Sequence, residues 1–320
     1  MKFTTMKWIA TFLLGILISG CSGNEMVDRE EVVLDPIVFT ASLEQRTSRT
    51  YIEDGKYLRW NTGDQITLFI GSTLNWRYQF DGETGDNAGT FSMVEPPFGT
   101  GNKLDKHYAV YPYHAGIKIS EAGVITTTIP AEQHFAENSF GLGANTMVAV
   151  TKDLEDSYLG FKNVGGYIRL QFYGEDVTIK SLCLKGNADE KIVGTILVSP
   201  EYGQSPQVAM ATDALDTILL HCGEAGVKLG ETKESATSFW IVLAPAVFET
   251  GFSVVLTNDK HEEIAVSTTN KVVIERNVVK PMAALELMNP GVGVGVFKEE
   301  APMTDDDKIY VIGGGEITTE

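Results

Sequence analysis

The chain has 320 residues, 43% hydrophobic and 21% charged, with a net charge of −18. That composition excludes wholesale disorder, and at roughly 150 residues per domain the length predicts two domains. The 43 acids against 25 Lys and Arg weigh against nucleic acid or an anionic membrane surface as the partner.

Lys2 and Lys7 accompany an apolar stretch from Trp8 to Ile18, broken only by Thr11 and Gly15. The stretch is short for a bilayer span and reads as the core of a signal peptide, residues 1–20. Leu17-Ile18-Ser19-Gly20-Cys21 is an aliphatic residue, two small residues and a Cys, and it resembles a bacterial lipoprotein signal. The resemblance implies cleavage before Cys21 and acylation of that thiol and of the new amino terminus. Acyl chains add about 0.8 kcal/mol per buried methylene, and more than one makes a stable anchor. The other reading is a plain secretory signal with a chance Cys. Residues 1–20 hold Lys2, Lys7 and no acid, so their loss leaves 23 bases against 43 acids, a balance of −20. Residues 21–36 read as an acidic tether or propeptide carrying Glu25, Asp28, Glu30 and Glu31.

Strand signals dominate from Ile37 onward. Ile37-Val38-Phe39-Thr40 is the first strand candidate. Gln45-Arg46-Thr47-Ser48-Arg49-Thr50 then offers Arg46 and Arg49 to a trypsin-like protease if exposed, or is a surface turn. In Trp60-x-x-Gly63-Asp64 the Trp can cover the end of a core, while Asp64 can accept from backbone amides. Ile66, Leu68 and Ile70 alternate with Thr67 and Phe69. In Tyr111-Pro112-Tyr113 the Pro lacks a ladder donor, so this run ends a strand or lies at an edge. A polar segment, Asp153 to Ser157, places a domain boundary near Tyr158. Ile168, Leu170 and Phe172 share one face of an alternating strand, Phe239 to Ala244 reads as a central strand, and Phe252, Val254 and Leu256 alternate again. No segment shows an amphipathic helical period over three turns. The class is all-β, in sandwiches or barrels. Beyond Asn289 the chain is Gly-rich and acidic, with seven acids against two bases over 289–320. It holds one short strand candidate, Ile309-Tyr310-Val311-Ile312.

The catalytic signals are poor. Gly291-Val292-Gly293-Val294-Gly295 has no βαβ unit around it and reads as a linker. His107 and His114 flank an aromatic strand near Asp105, which fits polar strand positions better than a metal site. There is no Gly-x-Ser-x-Gly elbow. Cys183 and Cys222 lie in apolar strand-like runs, to be oxidised in an exported protein or kept as buried thiols. Asp216-Thr217-Ile218 resembles a short O-glycosylation sequon of Bacteroidetes envelope proteins. No cofactor, metal or catalytic group is predicted.

In order, the landmarks are Ile37-x-Phe39-x-Ala41, Arg49-Thr50, Trp60-x-x-Gly63-Asp64-x-Ile66 and Tyr108-Ala109-Val110-Tyr111-Pro112-Tyr113. Then come Ile129-Pro130-x-x-Gln133, Met147-Val148-Ala149, Phe161-Lys162-Asn163-Val164-Gly165-Gly166, Lys185-Gly186-Asn187, Gly251-Phe252 and Arg276-Asn277. Their joint order, from Ile37 to Leu287, resembles the fimbrillin family of Bacteroidetes, the Mfa-like fimbrial subunits. The resemblance implies two transthyretin-like β-sandwich domains in tandem, 37–158 and 159–288, with a flexible acidic tail over 289–320. It implies a structural subunit of cell-surface fimbriae, not an enzyme, exported as a lipoprotein held at the outer membrane by lipid on Cys21. An Arg-specific protease would then remove Cys21 to Arg46 or Arg49 with the first strand, whose Ile37 and Phe39 are the plug. A strand from another subunit of a homo- or hetero-polymer would fill the groove, with Ile309, Tyr310, Val311 and Ile312 as the donor. The tail can also be an unrelated extension or disorder. Host or bacterial surface receptors or glycans would be further partners. The competing readings are an unprocessed fimbrial anchor and a glycan-binding surface lipoprotein or glycosidase.

Overall fold

The computed structural model describes residues 37–44 and 58–287, and the backbone of 295–296. Period-two patterning governs these elements, and the fold is all-β; the one helical piece among the described residues is a 3-10 turn, Lys233–Ser235. The first strands are β1 (Phe39–Leu43), β2 (Gln65–Ser72), β3 (Trp76–Phe80), β4 (Ala88–Glu95) and β5 (Lys103–Tyr111). With Met147–Val150 and Tyr158–Asn163 they close a barrel, in the order β1, Tyr158–Asn163, Met147–Val150, β5, β2, β3, β4. β5 ends at Tyr111, where Pro112 can no longer donate to the ladder.

Trp60 is 1% exposed and lies where strands of the barrel end: its backbone bonds Gly85 and Asp86, just before β4, and its ring meets Phe80 and Tyr111, the last residues of β3 and β5. Its ring centroid lies 5.1 to 5.8 Å from those of Phe80, Phe91, Tyr111 and Phe161, three of them edge-on. Edge-on contacts of this kind add about 0.5–1.5 kcal/mol each beyond the area they bury.

Three barrel strands are apolar on both faces because they form a wall between two cores. Leu68, Ala109 and Met147 face the barrel, while Phe69, Val110 and Val148 face a second, larger core. Side chains alternate across a strand, so one wall with apolar matter on both sides requires the continuous runs Tyr108–Tyr111 and Met147–Val150.

The larger core is built on Gly166–Tyr173, whose Ile168, Leu170 and Phe172 point inward as their alternation predicts. This strand pairs antiparallel with Thr237–Leu243 over seven positions and parallel with Val279–Pro281. Opposite lies a sheet containing Thr178–Gly186, Thr217–His221 and Phe252–Asn258.

Phe239 to Ala244 is not a central strand. Thr237–Leu243 stands at the edge of its sheet, yet Phe239, Ile241 and Leu243 are fully buried. Its outer edge is closed by a side chain. The Gln133 amide donates to the Val242 carbonyl at 2.6 Å and accepts from the Val242 N–H at 3.0 Å. Gln133 thus satisfies both polar groups of a buried edge residue, which would otherwise cost about 1–3 kcal/mol each.

Strand pairing crosses the expected boundary at residue 158. Tyr158–Asn163 belongs to the barrel, Ile125–Ile129 pairs with Gly194–Ser199, and Glu132–Ala136 runs parallel to Thr217–His221.

Candidate functional site at the first strand

The candidate site lies where β1 closes the barrel. β1 runs parallel to Tyr158–Asn163, from the pair Thr40 and Tyr158 to the pair Leu43 and Phe161. On its other side it is antiparallel to β4, from Phe39 against Phe91 to Ser42 against Ala88. Both of its edges are therefore satisfied, and without it the barrel would present two open edges.

The inward face is Phe39, Ala41 and Leu43, at 0%, 1% and 5% exposure. Phe39 packs edge-on against Tyr78 at 5.8 Å and His107 at 5.2 Å between centroids. Ile37 is not part of the plug. It lies before the strand, is 45% exposed, and uses its carbonyl to accept from the Tyr78 hydroxyl at 3.1 Å. Its position is two residues before Phe39, but regular pairing begins only at Phe39, so alternation does not carry it inward.

Glu44 locks the end of the strand. Arg276 Nη1 donates to Glu44 Oε2 at 2.6 Å, and Nη2 donates to Oε1 at 2.9 Å. The Asn163 N–H also donates to Oε2, at 3.2 Å, and the Glu44 N–H donates to the Phe161 carbonyl at 2.8 Å. Arg276 Nη1 further reaches the Asn163 carbonyl at 2.9 Å, and Nη2 the Ser205 hydroxyl at 3.1 Å. The two charged side chains are only 19% and 16% exposed. A bidentate, partly desolvated pair of this kind is about twice as strong as a neutral hydrogen bond.

The latch is set in a buried amide network. Asn163 donates to the Asn277 side-chain carbonyl at 2.7 Å, Asn145 to that of Asn163 at 2.7 Å, and the Tyr167 hydroxyl to that of Asn145 at 3.0 Å. Asn277 holds φ 59, a left-handed conformation that Asn tolerates better than most residues. The landmarks around Asn163 and at Arg276-Asn277 thus place one connected structure beside β1.

Asp64 is buried and accepts the Asn61 N–H at 2.8 Å, the backbone amide role expected of it. His107 bonds the Leu154 carbonyl through Nε2 at 2.9 Å, and the His114 Nδ1 accepts the Gly116 N–H at 3.0 Å. Among the described residues no group of three His, Cys, Asp or Glu is placed to hold a metal. A cavity of about 520 Å³ lies beside Tyr113, lined by Gln65, Arg77 and His114 among others. Arg77 is already engaged there, stacked over the Tyr113 ring at 5.1 Å and donating to Gln65 at 2.8 Å. The Thr217 hydroxyl of the glycosylation-like triplet donates to Asp216 at 3.0 Å, which holds that carboxyl below its ordinary value.

Cys183 and Cys222 are free thiols. The strand of Cys183 pairs with Thr217–His221, which ends just before Cys222, but register keeps the two thiols apart. Cys183 lies opposite Leu219, while the Cys222 amide reaches back to the Lys180 carbonyl at 2.9 Å. Burial pushes the Cys222 thiol up to about 12. Burial, then the Glu263 carboxylate, raises that of Cys183. The thiolate is the reactive form, so neither should be alkylated by iodoacetamide in the native chain at pH ~8. Both should react in urea, and reduction should not change the mass.

Cys21, Arg46, Arg49, Ile309, Tyr310, Val311 and Ile312 lie outside the described residues. Sequence reasoning missed Glu44 and Arg276 as a pair. The available signals were an acid ending the first strand candidate and an Arg preceding a landmark Asn.

No known protein-family profile matches the chain, and no curated protein matches it. Among solved structures it is similar to a candidate cell-adhesion protein from Bacteroides ovatus, at 13% identity and a TM-score of 0.48, over 85% of this chain and 99% of that one. A candidate cell-adhesion protein from Bacteroides uniformis is 15% identical at a TM-score of 0.44, over 77% and 96%. The tip fimbrial protein Mfa3 from Porphyromonas gingivalis, with C-terminal truncation, is 9% identical at a TM-score of 0.31, over 77% and 99%.

Proposed function

We propose that the chain is a structural subunit of cell-surface fimbriae of the fimbrillin type. It would be exported as a lipoprotein on Cys21 and would polymerise by strand exchange after loss of residues 21–46 or 21–49. The observation that carries this reading is β1: a strand that closes a barrel, with three inward side chains, ends just before the candidate cleavage residues Arg46 and Arg49. Losing such a strand exposes two ladder edges and an apolar slot at once, which another strand can fill by β-augmentation. The donor in this reading is the tail segment Ile309 to Ile312. No catalytic group, cofactor or metal enters it.

The two-part organisation belongs to the same proposal. Two separate apolar cores support it, the smaller inside the barrel and the larger beyond its wall.

Brief digestion of the mature chain with an Arg-specific protease should produce denaturant-resistant species above the monomer mass. Digestion that releases residues 21–46 or 21–49 without such species would refute the exchange step. A second reading, an unprocessed fimbrial anchor, draws on the Glu44 and Arg276 latch, which holds β1 in place. In that reading Cys21 stays the terminus and no ladder forms.

A further inference from the structure

We infer that the slot left by β1 selects its incoming strand by an acidic residue directly after the third inward side chain, and that Arg276 is the residue that reads it. The inference rests on the strand-exchange reading and names the chemistry of the partner. The occupant is a strand of another subunit, entering in the direction of β1, with the pattern large apolar, any, small, any, branched apolar, acid.

The first part of that pattern is steric. Phe39 fills a pocket walled by the Tyr78 and His107 rings, Ala41 allows close approach at 1% exposure, and Leu43 is 5% exposed. The acid follows from charge. Cleavage at Arg46 or Arg49 takes Glu44 away with β1, but Arg276 stays. Among the described residues Glu44 is the one carboxylate paired with Arg276. Its other acceptors, the Asn163 carbonyl and the Ser205 hydroxyl, are neutral. Asn163 cannot turn to replace the lost carboxylate, because its side chain is committed to Asn145 and Asn277 in a buried network. The emptied slot therefore ends in a partly buried guanidinium without its carboxylate, left with neutral acceptors alone, and an Asn163 N–H without the Glu44 oxygen it bonds. A charge left so is costly, and a strand that brings a carboxylate to that spot removes the cost.

The chain's own tail meets half of this specification. Val311 and Glu316 repeat the spacing of Phe39 and Glu44, so Glu316 can reach Arg276. Gly313 and Gly315 then stand where Ala41 and Leu43 fill the barrel. A tail from a second copy would satisfy the charge and leave two of three inward positions without a side chain.

The test uses the mature full chain, nicked by an Arg-specific protease, and three synthetic peptides. One has the sequence of residues 37–44, one carries Glu44→Gln, and one has the sequence of residues 309–316. Binding and inhibition of ladder formation are measured. The Gln peptide should bind about tenfold to a hundredfold more weakly than the Glu peptide. The 309–316 peptide should bind more weakly than the 37–44 peptide. In Arg276→Gln the Glu and Gln peptides should bind alike, and Arg276→Lys should keep part of the preference. If Arg276→Gln does not fold, the peptide series on the wild-type chain still decides the matter. Equal binding of the Glu and Gln peptides, with ladders still forming, would overturn acid selection and leave strand exchange standing. Binding of the 309–316 peptide as tight as that of 37–44 would overturn the steric part. No ladder and no peptide binding would remove the reading beneath both.

Discussion

Phe39→Ala is expected to lower the stability of the uncleaved chain by about 3–5 kcal/mol and to leave the cleaved, assembled protein unchanged. The first half follows from packing. Phe39 is fully buried, with its ring between those of Tyr78 and His107. Truncation removes the transfer energy of the ring and leaves a cavity. The barrel strands cannot close over it without breaking their register with β1 on both sides. The second half follows from the proposed processing, because Phe39 lies upstream of both Arg46 and Arg49 and would not be present in the polymer. Urea unfolding of the two forms checks both statements. A loss of similar size in both would mean that the first strand is retained.

Trp60→Ala should cost about 3–5 kcal/mol in both forms. Trp60 lies downstream of either Arg and contacts four rings at once in the barrel core. Two of those rings, on Phe91 and Phe161, sit on strands that flank β1. The loss should therefore persist whichever strand occupies the slot. Together the two variants form an internal control: equal packing disruption in the precursor, unequal in the polymer.

The sequence reading succeeded where one face decides the outcome. Ile168, Leu170 and Phe172 alternate because one side of their strand meets the core and the other carries Arg169 and Gln171. It reached the all-β class for the same reason. It failed where burial comes from outside the sheet. Phe239 to Ala244 looked central because apolar matter covers both faces, yet its strand is an edge closed by Gln133, 109 residues away from Val242. Ile37, a plug residue only by the family resemblance, lies before the strand begins and is half exposed.

The latch was the least legible feature. Glu44 and Arg276 are 232 residues apart, and nothing in either local sequence links them. They meet because β1 inserts beside Tyr158–Asn163 and ends next to Asn163, whose own hydrogen bonds lead to Asn277. Register across a closed barrel, rather than composition or periodicity, brings the charges together.

The most direct test of the account is the amino terminus of the protein taken from the cell surface. The account predicts Thr47 or Thr50, from cleavage after Arg46 or Arg49, in material that runs as a denaturant-resistant ladder. A terminus at Cys21 in all surface material, with β1 still in its slot, would contradict it.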